Sequence, residues 1–456
     1  MTYHFNTDQD QKEMLQAIGA TSIEELFESI PAELRFNRDL NIPPAMGELE
    51  LTQSLAQMAE ANSSASTKPC FLGAGSYDHF IPAVVDSIAS RGEFYTSYTP
   101  YQPEVSQGNL QVMFEYQTLI CQLTGMDVSN ASLYDGGSSV AEAVLMCMNI
   151  SRKTGKVVVA NTVHPEYRDV LKTYLKGQGS QLTTVEAVDG LITADQLVQA
   201  IDNDTACVVV QYPNFFGCIE DLQEITDKAH EKGAFVVAAV DPISLGMLKR
   251  PGDLGVDVVV AEGQSLGSPM SFGGPYLGIL ACREKFVRRM PGRLAGQTED
   301  RRGRRCWVLT LQTREQHIRR DKATSNICTN QGLFALRASI YLSLLGPSGI
   351  RQVANLCLQK SHYAAKKISE NPRLELAWSH PFLKEFVVRD LGSDVHQLLE
   401  DAESKGYLAG VPLGRWYPEL SDCFMVATTE QRTRQQIDGL AGSFSNTLAV
   451  ETLNHA

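Results

Sequence analysis

The ten cysteines of this 456-residue sequence form no C-x-x-C pair, which excludes the common zinc and dithiol spacings, and no metal site is expected. No run of about 18 or more apolar residues occurs, so nothing reads as a membrane span. Neither G-x-G-x-x-G nor a P-loop is present, which disfavours a nicotinamide dehydrogenase. A basic excess is also missing. Lys+Arg is 40 against Asp+Glu 53, a net charge of −13, opposite in sign to a general nucleic-acid or anionic-membrane binder. Residues 1–10 are polar and acidic, without the basic and apolar regions of a signal peptide, so the expected location is the cytoplasm. What remains is an ordinary soluble composition, 43% hydrophobic and 20% charged, in a chain long enough for two or three domains.

Along the chain, residues 1–66 read as a helical N-terminal extension. Thr21-Ser22-Ile23-Glu24 looks like a capped helix start, and Ile30-Pro31 looks like its end. The small residues 62–67 follow as a linker. Residues 67–345 alternate between apolar, β-branched runs and helical patterns. The runs are 157–160, 207–212, 235–241, 256–261 and 277–281. The helix over 109–124 is followed by Gly125 as a C-cap, and another opens on a capping box at Thr193. This predicts an α/β domain with a mostly parallel central sheet covered on both faces. Long helices over 329–370 are broken at Gly346-Pro347. Residues 346–456 read as a small C-terminal α+β domain, with strands at 385–388 and 423–427 and helices at 395–404 and 431–444.

In an open α/β sheet, ligands sit beyond the carboxyl ends of the strands. Asp135-Gly136-Gly137-Ser138-Ser139 leads into a helix there, and is either an anion cradle or a tight loop. Asp241 ends an apolar strand and could hold a pyridine nitrogen or cap a turn. After the next strand, where a pyridoxal-phosphate enzyme carries its Schiff-base lysine, stands Gln264; no lysine occurs between Lys249 and Lys285. A glutamine amide cannot form that bond. The charge-rich run 312–326 holds Arg314, His317, Arg319, Arg320, Thr324, Ser325 and Asn326. It is either a salt-bridged surface turn or a grip for carboxylate or phosphate. Tyr98, Thr99, Tyr101 and Gln102 lie in a stiff aromatic loop that suits core packing and a site wall equally.

Three stretches carry a family resemblance: PheLeuGlyAlaGlySerTyrAsp (71–78), TyrThrProTyrGlnProGluValSerGlnGly (98–108) and ThrArgGluGlnHisIleArgArgAspLysAlaThrSerAsnIleCysThr (313–329). They resemble the glycine dehydrogenase (decarboxylating) P-protein of the glycine cleavage system, and the likeness runs through essentially the whole chain. It implies a fold-type-I pyridoxal-phosphate transferase fold. One form of the family holds two homologous halves, and this chain is similar to the first, which lacks the cofactor lysine. The resemblance therefore implies a subunit active only with a lysine-bearing second subunit. That subunit would hold pyridoxal phosphate covalently, decarboxylate glycine and pass the aminomethyl group to the lipoylated H-protein. It further implies a vestigial pocket of Asp135, Gly136, Gly137, Ser138, His164, Asp241 and Gln264. Tyr98, Thr99, Tyr101, Gln102 and the 314–326 residues would serve the partner's site. The alternatives are an independent pyridoxal-phosphate decarboxylase or aminotransferase, or a non-catalytic regulatory or structural protein on the same fold.

Overall fold

The computed structural model describes residues 6–36, 38–98 and 100–446; Thr99 lies outside them. The chain divides into two compact units, residues 1–63 and 64–456.

The first unit has two helices, Asp8–Ala17 and Glu48–Glu60. The helix expected after Thr21 is instead a single 3-10 turn, Glu24–Phe27, followed by another at Ala32–Leu34. The reason is local. The Glu25 carboxylate reaches back and accepts from the Thr21 N–H at 2.6 Å, and Pro31 stops any extension. No helix in this unit buries a residue.

The second unit is built on a seven-stranded sheet: β1 (Val128–Ser129), β2 (Lys156–Ala160), β3 (Gln181–Val185), β4 (Thr205–Tyr212), β5 (Phe235–Val240), β6 (Val258–Glu262) and β7 (Gly278–Cys282). Their spatial order is β1-β7-β6-β5-β4-β2-β3. Strands β2 to β6 are parallel, and β7 and β1 close one edge antiparallel. The central strands are continuous Val/Ala runs because helices cover both faces, and β4, β5 and β6 are buried along nearly their whole length. Edge strand β3 is half exposed and reads GlnLeuThrThrVal, too polar to stand out in the sequence. The helix Gln107–Thr124 ends on Gly125 at φ +73°, a left-handed cap that glycine takes without strain. The Thr193 capping box is present.

A hairpin of β8 (Ala295–Glu299) and β9 (Arg305–Leu309) follows, then the charge-rich run, then helical chain from Gly332 to Ile368 that breaks at Gly346 (φ +58°) beside Pro347. By length and composition this is the one described helix able to cross a membrane. It is kinked, and it buries Ala335, Ala338, Tyr341 and Ala354 in the core. The small antiparallel sheet has the order β10 (Leu374–Leu376), β11 (Glu385–Asp390), β13 (Cys423–Ala427), β12 (Val411–Pro412). The helices Val395–Ser404 and Arg434–Ser443 pack on it around Phe386, Val388, Phe424 and Leu440.

Candidate functional site

The carboxyl ends of β5 and β6 deliver Asp241 and Gln264 to one edge of the large sheet, as their sequence positions require. Helix Gly136–Ser151 starts four residues earlier than its apolar pattern, directly on its Asp135 cap. Its first turn is therefore buried helix, not loop. The Asp135 carboxylate accepts from the Ser138 N–H at 2.7 Å. The Gly136 N–H donates to Glu262 Oε2 at 3.0 Å. An anion arriving here would find these donors already facing two carboxyl groups of the same chain, which corrects the reading of an open cradle. A Cβ at Gly136 would collide with the Tyr167 hydroxyl. His164 caps the helix Pro165–Leu175 by accepting from the Glu166 N–H, and its Nε2 therefore donates to the Ala74 carbonyl at 2.8 Å. One face of its ring stacks on Tyr167 at 4.5 Å, and burial lowers its pKa.

Gln264 is buried and fully engaged. Its Oε1 accepts from the Tyr77 N–H at 2.9 Å, and its Nε2 donates to the carbonyls of Tyr77 (3.0 Å) and Ser268 (2.8 Å). Asp241 has a partner that the sequence did not reveal. Lys384 Nζ, buried at the foot of β11, lies 2.9 Å from Asp241 Oδ1 and 3.4 Å above the Tyr77 ring. The same ammonium donates to His79 Nε2 at 3.2 Å. A lysine has only protons to give, so His79 Nδ1 is the nitrogen that donates to Glu430 at 2.6 Å. His79, Cys357 and Glu430 bring metal-ligand atoms within 4.8 Å of one another, but Lys384 and these internal bonds occupy the donor set. The Tyr77 hydroxyl donates to Glu385 Oε2 at 2.8 Å.

These residues do not fit pyridoxal phosphate. Where the sequence led us to expect the lysine stands an amide clipped to Tyr77, the aspartate expected to meet the pyridine is bound to an ammonium, and the N–H groups expected for the phosphate face carboxyl groups.

Glu385 gives a pH signature. Burial pushes its carboxyl up to about 7 from 4.5, against the Lys384 charge and the Ala74 N–H and Tyr77 O–H donors. The folded state thus holds this proton more tightly than the unfolded chain. Its stabilising contribution is full below about pH 4.5 and lost as pH rises toward 7, a change of up to about 3 kcal/mol. In a melting-temperature series from pH 5 to 8, Glu385→Gln should fall less steeply than wild type. Equal slopes would refute the assignment.

The charge-rich run is held at its inner end. Arg314 donates to the carbonyls of Leu311 and Gly292 (both 3.1 Å) and Met290, so it anchors backbone and is not free for a ligand. Buried Glu315 pairs with Arg293 at 2.8 Å, and exposed His317 lies 3.6 Å from the same carboxylate. Arg319, Arg320 and Asn326 are exposed, while Thr324 and Ser325 are half-buried. Arg320 has φ +52°, which few non-glycine residues adopt. The Ser325 hydroxyl accepts from the Ile327 N–H at 3.1 Å, and burial raises the nearby Glu142 carboxyl to about 7.

Arg293 carried no signal in the sequence, yet it joins this run to the tyrosine loop. Its guanidinium sits 3.9 Å over the Tyr101 ring and also donates to the Cys328 carbonyl at 2.7 Å. The Tyr101 hydroxyl donates to Asn330 at 2.7 Å. Gln102 is exposed, and Tyr98 is 95% exposed. Asn330 and Gln331 are in turn tied to Ala131 and Ser132, a few residues before Asp135. The two segments read separately from the sequence are thus one polar surface beside the closed pocket.

The family model described as "Glycine cleavage system P-protein" matches residues 2–444. The chain is 52% identical over 436 residues to a "Probable glycine dehydrogenase (decarboxylating) subunit 1" of Desulforamulus reducens, covering 96% of this chain and 97% of that one. To its namesake in Moorella thermoacetica it is 50% identical, covering 98% and 100%. The crystal structure of a glycine decarboxylase (P-protein) of the glycine cleavage system, in inhibitor-bound form, superposes with a TM-score of 0.88 at 40% identity, covering 98% and 99%. Glutamate decarboxylase of Lactobacillus brevis, at 11% identity and a TM-score of 0.67 over 92% and 97%, shares the fold alone. By sequence, along almost its whole length, and by fold, the chain belongs to the glycine cleavage system P-protein family.

Proposed function

We propose that this chain is the lysine-free subunit of a two-subunit glycine dehydrogenase (decarboxylating), located in the cytoplasm and active only when assembled with a lysine-bearing second subunit. The observation that carries this reading is Gln264, whose amide makes three hydrogen bonds where the cofactor lysine would stand. A chain of this family with that position closed contributes to catalysis through its surface. Pyridoxal phosphate on the second subunit supplies the electron sink for loss of CO2 from glycine, and the lipoylated H-protein takes the aminomethyl group.

This chain's part is to wall and charge the partner's cleft. Tyr98, Thr99, Tyr101 and Gln102 border the glycine pocket and exclude water. Thr324, Ser325 and Asn326 offer hydrogen bonds to the phosphate edge. His317, Arg319 and Arg320 supply positive charge to a carboxylate, and Arg314 positions them. The exposure of Arg319 and Arg320, on a run anchored by Arg314 and Arg293, supports this division of roles.

Mixing the two purified subunits tests the whole reading. Glycine–bicarbonate exchange with lipoylated H-protein should require both, and a second subunit fully active alone would overturn it. Within the active complex, Arg319→Ala and Arg320→Ala should each lower exchange about ten-fold, a barrier increase of about 1.4 kcal/mol, without loosening assembly. Near-wild-type rates in both would return the run to an ordinary surface turn.

A further inference from the structure

Fifteen of the 26 large apolar side chains exposed among the described residues fall between Met14 and Met58, in a unit whose helices bury nothing. They are patterned. Leu34, Phe36, Leu40 and Ile42 stand at alternate positions interrupted by Arg38, the first of them at the end of the 3-10 turn Ala32–Leu34. Leu51, Leu55 and Met58 form an i, i+4, i+7 stripe on the helix Glu48–Glu60. The same stretch concentrates charge. Residues 1–63 hold eleven of the 53 acidic residues and three of the 40 basic ones, so they carry eight of the thirteen net negative charges. At about half exposure each, fifteen such side chains present on the order of 1,000 Å² of apolar surface. Summed over the unit, that is the scale of one partner's share of a stable interface.

We infer that residues 7–60 are a docking arm for the second subunit, seated on a surface of that subunit that is apolar and basic. The inference rests on the two-subunit reading and specifies where the partner is held. The apolar stripes supply buried area, and the acidic residues around them select a positive surface and speed encounter.

The test uses full-length chains and the purified lysine-bearing subunit. Wild-type affinity is measured first, and failure of wild type to bind at all would sink the two-subunit reading itself. The triple variant Leu51→Asp/Leu55→Asp/Met58→Asp should bind at least 100-fold more weakly, with its own melting temperature unchanged. Phe36→Ser/Leu40→Ser, which has no helix to lose, should weaken binding at least ten-fold. Amides of residues 34–58 should gain hydrogen-exchange protection on mixing, and wild-type affinity should fall as salt rises. Unchanged affinity in both variants would overturn the inference. So would a lowered melting temperature of the isolated variants, which would place the arm on its own chain. Loss of self-association with binding intact would assign the arm to a second copy and likewise overturn it.

Discussion

Lys384→Met is expected to destabilise the isolated chain by about 3–5 kcal/mol. The ammonium is the ion-pair partner of Asp241, and both are largely removed from water. Asp241 Oδ2 already lacks a hydrogen bond. Taking the cation away strands a carboxylate in a medium that solvates it poorly, and His79 loses a donor as well. Replacing both charges is a different matter. In Lys384→Met/Asp241→Asn no buried charge remains uncompensated, and most of the loss should return. Denaturant unfolding of the two variants measures this directly. A single variant within 1 kcal/mol of wild type, or a double variant no better than the single, would show that the pair does not act as a unit.

Gln264→Lys should cost about 2–4 kcal/mol and gain no cofactor. The new ammonium can donate to the Tyr77 and Ser268 carbonyls but cannot accept from the Tyr77 N–H, which is left buried without a partner. Incubation with pyridoxal phosphate, borohydride reduction and peptide mass spectrometry should find no pyridoxyl-lysine at position 264. None should appear in the wild-type chain either, Lys384 included. A stoichiometric adduct at 264 would show that a single residue separates this pocket from a working one.

The parts legible in the sequence were those with local causes. The buried strands announce themselves as Val/Ala runs because both faces are covered, and the Thr193 and Gly125 helix ends are written in adjacent residues. The lysine gap needed only counting. The contacts that decide the site are not local. Lys384 and Asp241 are 143 residues apart. Leu-Lys-Glu before an apolar run reads as the polar entry of a strand, where a solvated lysine is the ordinary outcome. Arg293 lies between a turn and a hairpin, and its role depends on Tyr101, Glu315 and Cys328 meeting in space. Gly-Gly-Ser-Ser lacks helix propensity, so the sequence alone suggests a loop where the first turn of the Asp135 helix stands. Tertiary burial and the Asp135 cap outweigh that preference.

The closed pocket bears on how such a subunit changes over generations. Three closures meet at one sheet edge: Gln264 on Tyr77, Lys384 on Asp241, and Glu262 on Gly136. Undoing any one alone leaves an unpaired group and removes a sizeable part of the roughly 5–15 kcal/mol that holds a domain folded. Undoing one also wins no chemistry while the other two persist. A single substitution therefore costs stability without opening the pocket to a cofactor. On the two-subunit reading proposed above, dependence on the partner would work as a ratchet: each internal bond of the closed pocket makes a working lysine at position 264 less accessible, and selection on this chain would fall on the surfaces it lends.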